Sequence, residues 1–179
     1  MIKRGVTVWN YPGSPIENAR EFYNRGFNAI SWLGRDFTQE NEHQLADLAA
    51  FLAETGMILT VHYGLPRPED KAKCKIFEET ISWMSLWQER YGLMTGLTFD
   101  SVFEIKLTMP YLAFALNAFR NKNTFLACED TPLDLETFEE YKRILKPEDD
   151  FGILIDTGHM NLRQTKAGKN RPEDFINAF

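Results

Sequence analysis

Six short runs rich in Val, Ile, Leu, Phe, Thr and Trp alternate with longer amphipathic runs along the whole chain. The short runs are residues 5–9, 28–33, 57–63, 95–99, 124–129 and 152–156, mostly bounded by Gly, Asn or Pro, as strands are. No tight-turn dipeptide such as Asn-Gly joins any two of them. Strands separated by helices return to the same end of a sheet, so they must run parallel. This excludes hairpin-built sandwiches and meanders, and it predicts an α/β fold.

The intervening runs carry helix punctuation. Residues 17–25 end at Gly26. Residues 42–55 place Leu45, Leu48, Ala49 and Leu52 at i, i+3, i+4 and i+7 and stop at Gly56. Residues 70–91 align Phe77, Ile81, Met84 and Tyr91 on one stripe before Gly92. Glycine just past a helix accepts the left-handed conformation that ends it. Residues 110–119 open with Pro110 at a plausible first helical position. Residues 134–145 have a capping Asp134 and the apolar stripe Leu135, Phe138, Ile144 and Leu145.

Successive strand centres at Val6, Ala29, Leu59, Leu97, Phe125 and Ile153 are 23, 30, 38, 28 and 28 residues apart, about 29 on average. That is the repeat of a (β/α)8 TIM barrel of about 250 residues. The competing architecture is a doubly wound open sheet, but the first βα turn lacks G-x-G-x-x-G and no P-loop occurs. With 179 residues the chain is expected to form a single domain, 1–179, holding about six of the eight βα units. After the sixth strand come a polar loop and a helix start at Arg171-Pro172-Glu173. The expectation is therefore a barrel incomplete at its C-terminal side; the alternative is a six-stranded domain with a short final helix.

Composition narrows the function classes. Fourteen Phe, four Trp and six Tyr give ample surface to bury. Twenty Lys and Arg against 26 Asp and Glu give a net charge of −6, which argues against a phosphate-neutralising, nucleic-acid-binding chain. Cys74 and Cys128 match no metal spacing and suit a reducing compartment. No apolar run reaches the ~18 residues of a membrane span, and no secretory signal precedes the first strand. A cytoplasmic protein with no nucleic-acid or membrane partner is expected.

In parallel α/β folds chemistry sits at the C-terminal strand ends. Here these read Trp9-Asn10-Tyr11, Trp32, His62-Tyr63, Asp100, Glu129-Asp130 and Asp156-Thr157-Gly158-His159. Phe125, Ala127 and Glu129 share one strand face, and Leu154 and Asp156 share one face of the next. An acid ending an apolar strand is costly to bury unless it is paired or binds a cation. Two such acids on adjacent strands suit a divalent ion such as Mn²⁺, Mg²⁺ or Zn²⁺. Helix capping or pairing with Arg or Lys is the plainer role for both. His159 can swing over this site or cap a loop. His62 can face it or bond a backbone carbonyl. Trp9, Trp32 and Tyr63 can form a sugar-stacking rim or pack the barrel mouth. Asp100 fits an exposed loop or a strand-end site equally, and His43 reads as solvated.

At these residues the sequence resembles the xylose isomerase-like barrels, a superfamily that includes sugar isomerases, ketose 3-epimerases and endonuclease IV. The run Phe125-Leu126-Ala127-Cys128-Glu129-Asp130-Thr131 resembles their fifth strand. Ile153-Leu154-Ile155-Asp156-Thr157-Gly158-His159 resembles their sixth-strand D-T-x-H motif, and Thr60-Val61-His62-Tyr63 is similar to the third-strand V-H segment. The resemblance runs in order over nearly the whole chain. It implies that Glu129 and Asp156 are metal ligands, that His159 contacts substrate or a second metal, and that His62 points a ring nitrogen at substrate or metal. It also implies a further His and Glu on strands seven and eight. The second strand departs from the family in ending Ile30-Ser31-Trp32 rather than in an acid, and Asp130 stands where Asn is usual.

The resulting expectation is a metal-dependent sugar or sugar phosphate isomerase or epimerase, moving a proton on the carbon next to a carbonyl. Glu129 would be the acid–base group as well as a ligand. His159, His62, Trp9 and Trp32 would bind the sugar. Two alternatives are an endonuclease IV-like zinc phosphodiesterase, poorly supplied by only three histidines, and a non-catalytic ligand-binding relative of the barrels. Glu129 and Asp156 are only two protein ligands, so weak divalent-metal binding or none is expected of this chain. The uncharged first and sixth strands predict a homo-oligomer.

Overall fold

The structure is a computed structural model that describes residues 4–8, 11–100, 105–129, 145, 149 and 151–154. Six strands form one sheet: β1 (Gly5–Thr7), β2 (Ala29–Leu33), β3 (Ile58–Gly64), β4 (Gly96–Asp100), β5 (Phe125–Glu129) and β6 (Phe151–Leu154). All neighbouring pairs are parallel, and the strand order is the chain order. Between them run α1 (Pro15–Asn24), α2 (Glu42–Thr55), α3 (Lys71–Tyr91) and α4 (Ile105–Phe119), with two short 3-10 turns between β2 and α2.

An order that never reverses has no topological switch point, which rules out the doubly wound alternative. Right-handed crossovers that always advance in one direction put every helix on the same side. The other face is then the wall of a barrel interior. Among the described residues the sheet is open, with β1 and β6 at its edges.

Side-chain alternation shows the two faces. Ile30, Trp32, Leu59, Val61, Leu97, Phe99, Leu126 and Cys128 lie on one face, none more than 4% exposed. They join Phe22, Leu48, Phe77, Ile81, Met84, Trp87, Leu112 and Leu116 of the helices in one core. At roughly 1.5–3 kcal/mol for each large apolar side chain buried, this layer is the main source of stability. The opposite face carries small or polar residues along much of its length: Gly5, Thr7, Ala29, Ser31, Thr60, Gly96, Thr98, Ala127 and Gly152, with Ile58, Leu33 and Phe125 as the larger exceptions.

The helix boundaries follow local chemistry. Ser14 caps α1 with a reciprocal box: its hydroxyl accepts from the Glu17 N–H at 3.4 Å, and the Glu17 carboxylate accepts from the Ser14 N–H at 2.8 Å. The Ser14 N–H, helped by the Ser14 hydroxyl that donates to the same carboxylate at 2.9 Å, holds the Glu17 carboxyl below its usual range. Gly56 and Gly92 end α2 and α3 at φ of 65° and 58°, as the glycine signals predict. Pro110 does not begin its helix. α4 starts at Ile105, five residues earlier, and contains Pro110. Pro110 is the sixth residue of α4, past its first turn, and its missing N–H costs the helix the bond to the Lys106 carbonyl. Of the helix expected over residues 134–145, all but Leu145 lies outside the described residues, as does the helix start near Arg171.

A buried polar network joins α3 to the turn before β5. The Gln88 amide nitrogen donates to the Lys122 carbonyl at 3.0 Å, and its oxygen accepts from the Met94 N–H at 2.6 Å. Ser85 donates to the Ala118 carbonyl at 2.5 Å. Asn121 and Asn123 flank Lys122 at φ of 62° and 53°, conformations that Asn tolerates through local bonding of its short side chain. Gln88→Leu keeps the bulk but orphans the buried Met94 N–H, while the part-buried Lys122 carbonyl keeps the Thr124 hydroxyl at 3.4 Å. The expected loss is about 1–3 kcal/mol. It is read from the urea midpoint, and a loss below about 0.5 kcal/mol would show that water replaces the amide.

A second cross-helix contact is titratable. The Cys74 thiol donates to the Arg67 carbonyl at 3.3 Å, and its sulfur lies 2.9 Å from the Tyr111 hydroxyl. This bond, helped by burial and nearby negative charge, pushes the Tyr111 phenol up to about 12 from its usual 10.0. A raised folded value favours the protonated phenol. Its contribution to stability is therefore complete below about pH 10 and is lost as pH rises to about 12. Absorbance titration of tyrosinate should show Cys74→Ala returning one tyrosine toward 10; an unchanged curve would mean the sulfur does not hold the proton.

Candidate functional site

The strand register brings three residues together at the C-terminal end of the sheet. Gly64 is opposite Asp100, and Asp100 is opposite Glu129. His62 lies two residues before Gly64, on the same face. All three side chains thus project from the small-residue face, not into the core. The His62 Nε2 is 2.7 Å from an Asp100 carboxylate oxygen and 3.7 Å from a Glu129 oxygen. One donor atom from each residue lies within 4.8 Å of the others.

The local sequence explains the placement. Thr98-Phe99-Asp100 and Ala127-Cys128-Glu129 repeat one pattern: a small residue and an acid on the inner face, with an apolar residue between them turned to the helices. Phe99 and Cys128 are fully buried on the helix side. Asp100 is fixed further by its carbonyl, which accepts from the Leu65 N–H at 3.2 Å. His62 is 6% and Glu129 5% exposed, whereas the Asp100 side chain is 37% exposed. The cluster therefore has a buried floor and one member open toward the mouth.

Of the residues expected at the site, Glu129 and His62 are brought together. Asp156, His159 and Trp9 lie outside the described residues. Trp32 is not in this cluster. It is in register with Val61 and Leu97 on the helix-facing side, 4% exposed, with its ring edge-on to Phe37. The sugar-stacking role expected for it is corrected to core packing, because strand alternation turns it away from His62. Tyr63 is turned the same way: its ring packs edge-on to Phe77, and burial outweighs its bond with Thr80 to raise its phenol above the usual value.

Asp100 is the functional candidate that the sequence reading left undecided between loop and site. The signal was present: it follows Thr98 by two residues, as Glu129 follows Ala127, so both acids share the inward face. One imidazole and two carboxylates are a donor set that fits a divalent cation, and three protein ligands leave coordination positions open.

No protein-family model matches the sequence, and no curated protein is significantly similar to it. Solved structures do match. One is a D-psicose 3-epimerase in the presence of D-fructose, with a TM-score of 0.66 and 15% identity, covering 91% of this chain and 66% of that one. Another is the D-psicose 3-epimerase of Clostridium cellulolyticum H10 with D-tagatose, with a TM-score of 0.66 and 13% identity, covering 93% of this chain and 68% of that one. The chain thus spans about two thirds of the length of these neighbours. The likeness shows the fold alone: parallel βα units arranged as in part of a TIM barrel over the span that it covers. Among the described residues no helix is long and apolar enough to cross a membrane.

Proposed function

We propose that the chain carries part of the active site of a metal-dependent sugar isomerase or epimerase. The observation that carries this reading is the meeting of His62, Asp100 and Glu129 at the C-terminal strand ends, on a face lined by small residues. The fold shared with two sugar epimerases supports it. A small, uncharged sugar suits an acidic chain of this composition.

Glu129 is the proposed acid–base group. Its carboxylate is buried at a strand end, where it takes the proton from the carbon next to the sugar carbonyl. Return of that proton to the neighbouring carbon completes an isomerisation; return to the opposite face of the same carbon requires a second acid. His62, hydrogen-bonded to Asp100, is proposed to point a ring nitrogen at the substrate or the metal. A divalent cation, held by Glu129 together with its neighbours, would polarise the carbonyl and stabilise the enediolate as a Lewis acid. Asp156 and His159 are proposed to complete this end of the site, as a ligand and as a contact to substrate or metal. Trp9 is proposed for the sugar rim.

The test is incubation of the chain with D-fructose or D-psicose in D₂O, with Mn²⁺, Mg²⁺ or Zn²⁺ present. Deuterium entering the carbon beside the carbonyl, followed by NMR, supports the reading. No exchange with any of these sugars, in a protein shown to hold metal, rejects it. Two further proposals go with it. A cytoplasmic location is proposed on the low cysteine content, two in 179 residues. The uncharged edges β1 and β6 of the described sheet favour association of copies, which light scattering reads directly.

A further inference from the structure

We propose that His62, Asp100 and Glu129 bind a single divalent cation through Nε2 and one oxygen of each carboxylate, and that the imidazole makes this site prefer Zn²⁺ or Co²⁺, then Mn²⁺, over Mg²⁺. The inference rests on the metal-dependent reading above and deepens it, because it names the ligands and the class of ion. It makes Asp100 a ligand rather than only the partner of His62.

Geometry is the first argument. Metal–nitrogen and metal–oxygen lengths of about 2.0–2.2 Å set neighbouring donors about 3–3.5 Å apart. The Nε2 lies 2.7 Å from Asp100 and 3.7 Å from Glu129, on either side of that spacing. The third pair, Asp100 and Glu129, is within 4.8 Å, so side-chain shifts of about an ångström convert the hydrogen-bonded set into a coordinating one. The three residues come from three adjacent strands of one sheet, a rigid frame for a site.

Charge is the second. Two carboxylates and a neutral imidazole sum to −2, which a divalent cation cancels. A protonated imidazole cancels only half, in a place where His62 and Glu129 are both buried. Space is the third. Gly64 is the register partner of Asp100, and among the described residues a Cβ built there meets no atom within 4 Å. The remaining coordination positions therefore have room beside the exposed side of Asp100. Donor chemistry then sets the ion. A hard O-only set suits Mg²⁺, whereas an imidazole nitrogen shifts preference along the Irving–Williams order toward Co²⁺ and Zn²⁺.

The experiment titrates the metal-free 179-residue chain with Co²⁺ alone and follows its visible absorption. Zn²⁺, Mn²⁺ and Mg²⁺ then compete, and circular dichroism checks the fold of each variant. One equivalent of Co²⁺ should bind, displaced by Zn²⁺ most readily and by Mg²⁺ least. Losing a partner outside the coordination sphere costs about 10–100-fold in affinity. Asp100→Asn and His62→Gln should therefore cost at least about 100-fold and change the spectrum, while Asp70→Asn at the start of α3 should change neither. In the unaltered protein, Zn²⁺ should shift the His62 ring resonances and leave those of exposed His43 in place, a readout that needs no variant. Absence of Co²⁺ binding, a spectrum indifferent to Asp100→Asn, or Mg²⁺ competing as well as Zn²⁺ overturns the assignment. The sugar test is separate. Metal bound as described without deuterium exchange removes the sugar reading and keeps the site; exchange in a chain whose metal ignores Asp100 does the reverse.

Discussion

Deuterium exchange beside the carbonyl of a ketose falls by at least about a hundredfold when Glu129 is replaced by Gln. Under the proposed mechanism Glu129 moves the proton and contributes an oxygen to the cation. General acid–base catalysis alone is worth about 10²–10⁴. Glutamine keeps the shape and the capacity to accept a hydrogen bond but cannot take up a proton. Its amide fits the same buried position, so circular dichroism and the urea midpoint should change little. Retention of more than a tenth of the exchange rate would remove Glu129 from the role.

Phe77→Ala should cost about 3–5 kcal/mol, the range for a large aromatic removed from a packed core. Phe77 is 1% exposed, and its ring meets Tyr63, Phe99 and Tyr111 at centroid distances of 5.3, 6.2 and 5.7 Å. It thus packs together side chains of β3, β4 and α4. Since domains are stable by only about 5–15 kcal/mol in total, this single change should bring the chain near its unfolding threshold. Urea unfolding measures it, and a loss under about 1.5 kcal/mol would mean the three rings close over the cavity. Because β3 and β4 carry His62 and Asp100, the variant should also hold Co²⁺ more weakly than the parent.

The parallel architecture was legible because it rests on period and punctuation. α2 matches its expected span, Glu42–Thr55, since Leu45, Leu48, Ala49 and Leu52 mark one helical face and Gly56 supplies the left-handed stop. α4 was misjudged because Pro110 resembles a start signal, and tertiary packing of Leu112, Ala115 and Leu116 outweighs the one lost bond. The site was partly legible. Glu129 and His62 stood out as polar groups ending apolar strands. Asp100 did not, because the exposed position of an acid before Ser101 looks the same for a loop and for a strand terminus. Trp32 misled for the converse reason: an aromatic at a strand end fits either a rim or a core until register settles its face.

The chain-order arrangement of the strands has a consequence for synthesis. Each strand pairs with the one made just before it, so every new βα unit leaving the ribosome finds its template already in place. The sheet can grow vectorially, one edge at a time, with no early segment waiting for a distant late one. Closing only short loops is also the entropically cheap route. At every stage, however, the newest strand is an unpaired edge, so a nascent chain stalled between units is the species most exposed to aggregation.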